Sequence, residues 1–491
     1  MRPHPFLRSC SRRTIPALAL LLLPACTTTG FKAPATTSSV TTPALWQQTT
    51  TTGGTLDAQS LAVWWTRFND PILDQLIDDA LANSPDIRTA LSKIAESRAV
   101  RANSQASLFP SLSAGVSGSG NRTRNRNTHT TATSESYSAS LDASWEVDLF
   151  GKQRQALSAA DADLAQTKEN LHAARVSLAA EVASAYVTLR STETQLDVVN
   201  RSLATRQETL QLTQWREQAG TGDALDTQQV ISSLEQARAS IPSLQQAVTQ
   251  TRNQLALLSG RTPGSLDTLL SAAKPLPAAP SAIAIGIPAE TLRQRPDVRA
   301  AEYGVQAAAA RTSAARRERL PSLNLSGSIG VEALKAGKLF DPQTIVSSVV
   351  GSLTAPIFDA GRIRNTITIQ SEQEKQSLIA YESTVLTALS EVENALVSVS
   401  RNAERLATLQ RAAEAARTAE SLASLQYQAG QVDLLTVLDA QRTRLSVEEQ
   451  VVSTNADELT AHIQLYKALG GGWSPAASTS AAPAPATTAT L

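Results

Sequence analysis

Few residues in this sequence are placed to do chemistry, and one thiol stands out. Cys26 closes the run Leu23-Pro24-Ala25-Cys26, behind a leader carrying Arg2, Arg8, Arg12 and Arg13 and an apolar stretch at 15–23. That stretch is far shorter than the roughly 20 residues a membrane-spanning helix needs, so it reads as an export signal. The run resembles a bacterial lipobox, in which the leader is cut before the cysteine and the sulfur takes lipid. An ordinary signal peptide with a chance cysteine is the alternative, and Pro24 departs from the usual small or branched residue. Ser11-Arg12-Arg13 leaves twin-arginine export open beside the commoner Sec route.

Cleavage takes 25 of 491 residues, with four Arg and no acidic residue, so 44 basic against 44 acidic becomes 40 against 44. Cys10 leaves too, so no disulfide within the chain and no cysteine metal site are possible. The remaining histidines, His129, His172 and His462, lie far apart and read as surface residues rather than ligands or bases. No Gly-rich phosphate loop, paired-His motif or nucleophile elbow occurs. The sequence calls for no enzyme, no metal and no cofactor beyond a covalent lipid on Cys26. Balanced charge argues against nucleic acid as a partner.

The elements that would carry this chain are long helices. Aromatic residues make up only 4% and Met1 is the sole methionine, too few to fill the core of an ordinary globular enzyme of this size. Residues 152–218 contain neither Pro nor Gly, a run of 67 that spans about 100 Å as helix. Leu157, Leu164, Leu171 and Leu178 recur every seven residues there, followed by Val182, Leu189, Leu196, Leu203 and Leu210. Leu378, Val385, Val392, Val399 and Leu406 keep the same period later. Sevens of this kind mean helices wound around partners. Gly220, Gly222 and Gly430 end the long helices, and Asp223 and Asp433 cap the returning ones. Pro242 is expected to kink or break the first returning helix.

The chain also repeats itself. Ser84-Pro85-Asp86 matches Arg295-Pro296-Asp297 at an offset of 211, and Gln218-Ala219-Gly220 matches Gln428-Ala429-Gly430 at 210. Two halves follow, 61–260 and 288–473, joined by a Pro-rich connector at 261–287. The signal peptide occupies 1–25, a lipidated tether 26–60, and a low-complexity tail expected to be disordered 474–491. In each half the expected order is helix, strand, loop, strand, very long helix, tight turn, helix. The strands are expected at 111–120, 136–148, 322–331 and 345–357. In 136–148, Tyr137, Ala139, Leu141, Ala143, Trp145 and Val147 alternate with polar residues. A soluble half-buried hairpin is one reading. The other is a membrane barrel: four strands cannot close alone, since single-chain barrels start at about eight, so copies must combine. Three copies would give twelve strands and twelve helices. The loop Asn121-Arg122-Thr123-Arg124-Asn125-Arg126-Asn127 is either a solvated turn or a contact for lipopolysaccharide phosphates.

Four groups of residues, in order on this duplication, resemble a known family. They are Gly286-Ile287-Pro288-Ala289 with Leu292, Arg295, Pro296, Asp297 and Glu302; Leu108-Phe109-Pro110-Ser111; Val437-Leu438-Asp439-Ala440-Gln441-Arg442; and Tyr466-Lys467-Ala468-Leu469-Gly470-Gly471-Gly472-Trp473. Over 60–473 the chain resembles the TolC/OprM outer membrane factors and, within them, the NodT-type efflux lipoproteins. The resemblance implies an α+β membrane protein. A trimeric 12-stranded transmembrane β-barrel would continue into a 12-helix periplasmic α-barrel, with an internal duplication in each chain. It implies the exit duct of a tripartite efflux pump in the outer membrane, working with a periplasmic adaptor and an inner-membrane transporter. Type I protein secretion on the same fold, or a lipid-tethered periplasmic coiled-coil scaffold, are the alternatives. Thr27, rather than Asp, after the cysteine resembles outer-membrane sorting. The family's closed periplasmic end resembles Leu435, Asp439 and Arg442, which share a helix face at i, i+4 and i+7. Three copies would ring Leu and carboxylate around an axis; a packed Leu beside an ordinary surface ion pair is the alternative. Ala219, Gly220, Asp223, Ala429, Gly430 and Asp433 match the tips where adaptors dock, or are simple helix ends.

Overall fold

A computed structural model describes residues 43, 46, 47, 58–271, 274–280, 288–341 and 345–474. The chain divides into two units, 1–35 and 36–491. The first lies wholly outside the described residues, as do Cys26, the signal peptide, most of the tether, part of the connector and the tail beyond 474.

The second unit contains two runs of elements in the same order, with matched helix lengths and a longer first hairpin. The first is α3 (Pro85–Ala106), β1 (Ser111–Asn125), β2 (Thr130–Val147), α4 (Lys152–Gln218) and α5 (Ala224–Leu258). The second is α7 (Pro296–Arg317), β3 (Ser322–Ala333), β4 (Ile345–Thr354), α8 (Arg362–Gln428) and α9 (Leu434–Ala468). The paired helices α3 and α7 have 22 residues each, α4 and α8 have 67, and α5 and α9 have 35. Short helices α1 (Ala58–Ala62), α2 (Pro71–Asn83) and α6 (Pro288–Gln294) complete the set, with 3-10 turns at Trp64–Phe68 and Ala336–Lys338.

The 35-residue helices stack end to end on the 22-residue ones, alongside the 67-residue pair. The end of α5 meets the start of α3 so closely that a Cβ on Gly260 would lie 2.5 Å from the Asn83 carbonyl. At the matching place in the other run, Arg295 Nη1 donates to the Ala468 carbonyl at 2.9 Å, capping the end of α9 where α7 begins. A cation there satisfies an orphan carbonyl and complements the helix dipole. The chain thus forms four helical columns: α4, α8, α5 continued by α3, and α9 continued by α7. The upper part of α4 is held by Arg101–Asp161 at 2.8 Å and the lower part by Arg252–Glu193 at 2.8 Å. Leu171, Leu178, Val182 and Leu189 of its sevenfold seam are buried, as are Val385, Val392, Val452 and Leu459.

The main core lies where the columns meet. Trp64 stacks on Tyr466 with centroids 5.2 Å apart and meets Phe68 edge-on. Asp70 caps α2 through Ile72 N at 3.0 Å and accepts from the Tyr186 hydroxyl at 2.6 Å. Gly471 lets the chain pass Trp64: a Cβ there would sit 2.8 Å from the indole. Gly472 N then donates to the Leu61 carbonyl at 3.1 Å. Leu266 and Leu270 of the connector are buried against this core.

Four expectations need correction. Pro242 does not break α5, which continues through it. The cost of one lost helical bond is borne on an exposed face, and Ser240 and Ser243 donate to carbonyls of the same stretch at 2.8 Å. The first hairpin is longer than expected: Asn121 to Asn125 are strand, so Arg122 and Arg124 are not in a loop, and the turn is 126–129. Thr-rich 130–135 is competent for strand, and Asn125 Oδ1 closes the turn by accepting from Asn127 N at 3.0 Å. β4 stops at Thr354 rather than 357, before Pro356, which has no N–H to offer a ladder. His172 and His462 are not surface residues. His462 is buried, and His172 stacks on Trp473 at 4.6 Å.

Candidate functional site

The four strands form one antiparallel sheet in the order β1-β2-β3-β4. Its register has no bulge, so side chains directly opposite share a face. One face carries Leu112, Val116, Leu141, Ile329, Val349 and Leu353, with Leu141 opposite both Ala114 and Ile329. These side chains are exposed, Val349 to 89%. The other face is mainly polar, with the exposed Val346 and Val350 of β4 as its larger apolar members. Ser117 pairs with Ser138 at 2.8 Å, Ser119 with Ser136 at 2.9 Å and Ser328 with Ser348 at 2.8 Å.

Two features make this sheet incomplete as it stands. A contiguous apolar face in water is a binding or membrane surface. Among the described residues, the outer edges of β1 and β4 pair with nothing. In lipid each unsatisfied backbone group costs several kcal/mol, so such edges must be joined to others. Among the described residues no helix is long and apolar enough to cross a membrane.

At the opposite end of the long helices lie the two tight turns. Gly220 and Gly430 take φ of 71° and 73°, which only glycine adopts cheaply. Thr221 N donates to Arg216 O and Gln431 N to Gln426 O, both at 2.9 Å, closing the helix ends alike. Asp223 then caps α5 through Leu225 N at 3.0 Å, and Asp433 caps α9 through Thr436 N at 3.0 Å. The Thr436 side-chain and backbone hydrogen bonds hold the Asp433 carboxyl below its usual range. Ala219 and Ala429 are exposed, as both caps are.

Leu435, Asp439 and Arg442 do come together. They line a groove of about 680 Å³ with Arg206, Ser233 and Glu449. Leu435 is 57% exposed, whereas its neighbour Leu434 is buried among Val230, Tyr427 and Val437. Asp439 and Arg442 form an ion pair in which both side chains are largely exposed. Burial pushes the Glu449 carboxyl up and the Arg206 guanidinium down.

Sequence reasoning missed the polar links that tie the columns together below the core. Glu448 accepts from Arg417 Nε at 2.6 Å, and Arg444 reaches Glu420 at 3.0 Å. Burial works to raise Glu448, but the hydrogen bond from Arg417 and the charge of Arg444 outweigh it and hold the carboxyl low. Gln441 donates to Thr209 at 2.9 Å, and Arg206 Nη1 donates to the Ser233 carbonyl at 2.9 Å. Only the seven-residue seams flanking these positions signalled that they face partners.

Comparison with known proteins places this geometry among relatives. The family model described as outer membrane efflux protein matches residues 76–261 and 287–471. The chain is 30% identical over 470 residues to the solvent efflux pump outer membrane protein SrpC of Pseudomonas putida, covering 94% of this chain and 98% of that one. It is 32% identical over 447 residues to the pyoverdine export outer membrane protein OpmQ of the same species, covering 89% and 93%. The solved outer-membrane channel OprN superposes with a TM-score of 0.80 at 32% identity, covering 89% of this chain and all of that one.

Proposed function

The chain belongs to the outer membrane efflux protein family, and on that premise we propose that three copies of it close one continuous duct. The protein is the outer membrane exit duct of an efflux pump. In the proposed assembly, three sheets of four strands join edge to edge as a 12-stranded barrel. Three sets of four helical columns continue it into the periplasm as a 12-helix barrel. The observation that carries this reading is the two-faced sheet with free edges at β1 and β4. Closure satisfies both edges, turns the apolar face to lipid and the serine-lined face to the lumen. The common order of elements and the equal lengths of the paired helices support descent from a duplicated unit, which gives each chain two similar sectors of the wall.

In the same reading Cys26 carries lipid, which tethers the mature chain beside its barrel. The Gly220 and Gly430 turns meet a periplasmic adaptor, and an inner-membrane transporter supplies energy. The exposed Leu435, Asp439 and Arg442 face the axis and narrow the periplasmic end. Relatives named for solvents and for pyoverdine support small organic molecules as cargo.

The test is accumulation of a fluorescent apolar dye in a strain lacking this protein. Restored wild type should lower accumulation in a manner that needs the cell's pump. Wild type that reaches the outer membrane yet leaves accumulation at the deletion level overturns the reading.

A further inference from the structure

Arg122 and Arg124 lie where the β1–β2 hairpin extends beyond the rest of the sheet, whose pairing with β2 ends at Tyr137, and on the face that carries the apolar side chains. The β1 register is unbroken, so even-numbered residues from Leu112 to Arg124 share one face. Both arginines are exposed, opposite the neutral Thr133 and Thr131. Below them on the same face come Glu135, opposite Gly120, and Tyr137, opposite Gly118. The Tyr137 hydroxyl donates to Glu135 at 3.4 Å. Arg126 lies in the turn, off the ladder.

Height decides what these two cations meet. Arg122 is ten residues beyond Leu112, about 34 Å along a strand and about 26 Å along the membrane normal at a tilt of about 40°. The apolar band of an outer membrane barrel is about 25 Å tall. Arg122 therefore sits at the upper rim of that band and Arg124 just above it, both on the lipid side. Two guanidinium groups two residues apart on one face repel; Glu135, the carboxylate diagonal to Arg122, offsets one of the two charges and leaves a net positive pair for an added anion. Their planar forks match phosphate oxygens in pairs.

We propose that Arg122 and Arg124 bind the phosphate groups of the anionic glycolipid of the outer leaflet, lipopolysaccharide, from the lipid-facing side of the barrel. The inference rests on the barrel reading above, which sets the orientation of the sheet. The Thr131 and Thr133 hydroxyls lie within the same rim as neutral donors. The site gives the barrel a fixed depth, because moving it inward would drag both cations into hydrocarbon.

The experiment uses the full purified protein. Retention of diphosphorylated lipid A is read by native mass spectrometry, and conductance of the same sample in planar bilayers reports the barrel independently. Wild type should retain lipid A, and Arg122→Gln with Arg124→Gln should weaken retention at least about tenfold, while Arg126→Gln should not. Dephosphorylated lipid A and phosphatidylglycerol should be retained no better by wild type than by the double variant. The site is overturned if a conducting protein retains lipid A equally with and without the two arginines. It is also overturned if Arg126→Gln weakens retention as much, or if phosphatidylglycerol is retained as well as lipid A. Wild type that neither inserts nor conducts overturns the barrel reading and the site with it.

Discussion

Arg216, near the end of α4, reaches across to Tyr427 near the end of α8. Its Nη1 donates to the Tyr427 carbonyl at 3.0 Å, and its guanidinium lies 4.6 Å from the centre of the Tyr427 ring. One side chain thus joins the tips of the two 67-residue helices, each too long to be fixed at its far end by the core alone. Arg216→Ala should remove a hydrogen bond and a cation–π contact, a local loss of roughly 1–2 kcal/mol. Amide hydrogen exchange around Tyr427 and Leu434 should speed up by about tenfold or more while the core near Trp64 is unaffected. Unchanged exchange at the tip would show that the contact is incidental.

The proposed constriction makes a separate prediction. Three Asp439 carboxylates near one axis favour cations. Asp439→Ala should shift the reversal potential in a salt gradient toward zero selectivity. Leu435→Ala should raise conductance without changing that preference. Both residues are exposed, so thermal stability should change by less than about 1 kcal/mol. If Asp439→Ala leaves reversal potential and conductance at wild-type values, the pair is an ordinary surface ion pair.

The two faces of the sheet should respond oppositely to charge. Val116→Lys places a cation on the apolar face and should cost about 2–4 kcal/mol per copy near the bilayer midplane. Ser117→Lys lies on the polar face and should be tolerated. The measurement is the yield of folded, heat-resistant oligomer in vesicles. Equal yields for the two variants would contradict the assignment of faces.

His172 is partly buried against Trp473, with Arg299 5.3 Å from the same indole and paired with Glu169 at 2.9 Å. Burial first, then the charges of Arg175 and Arg299, lower its pKa to about 4. The unfolded chain binds this proton near pH 6.5, before the folded one does. Stability should therefore fall as pH drops from about 6.5 toward 4, and level off below that. His172→Gln should flatten this part of the Tm profile relative to wild type. A wild-type minus variant difference that does not vary with pH would refute the claim.

Local chemistry was the legible part of this sequence. The stretch 152–218 lacks Pro and Gly, and α4 occupies the same residues. Gly220 with Asp223, and Gly430 with Asp433, mark turns because both ends of each turn are set by neighbours in sequence. Strand ends were harder. Asn121 to Asn125 carry no apolar alternation, and only the ladder to 130–134 makes them strand. Pro242 misled because a helix held along a neighbour tolerates one missing bond on its exposed side. Contacts such as Trp64 on Tyr466, Arg216 on Tyr427 and Gln441 on Thr209 join residues hundreds of positions apart. No spacing rule reaches that far. The candidate residues Leu435, Asp439 and Arg442 were legible as a shared helix face, but not the groove they line with Arg206 and Ser233 of other helices.

The most direct test of the account is the mass of the particle that conducts. Purified protein in mild detergent should be monodisperse and contain three chains, and the same preparation should insert into planar bilayers and carry ions. Four strands with two free edges cannot line a pore alone. A monodisperse particle of one chain that still conducts would contradict the account.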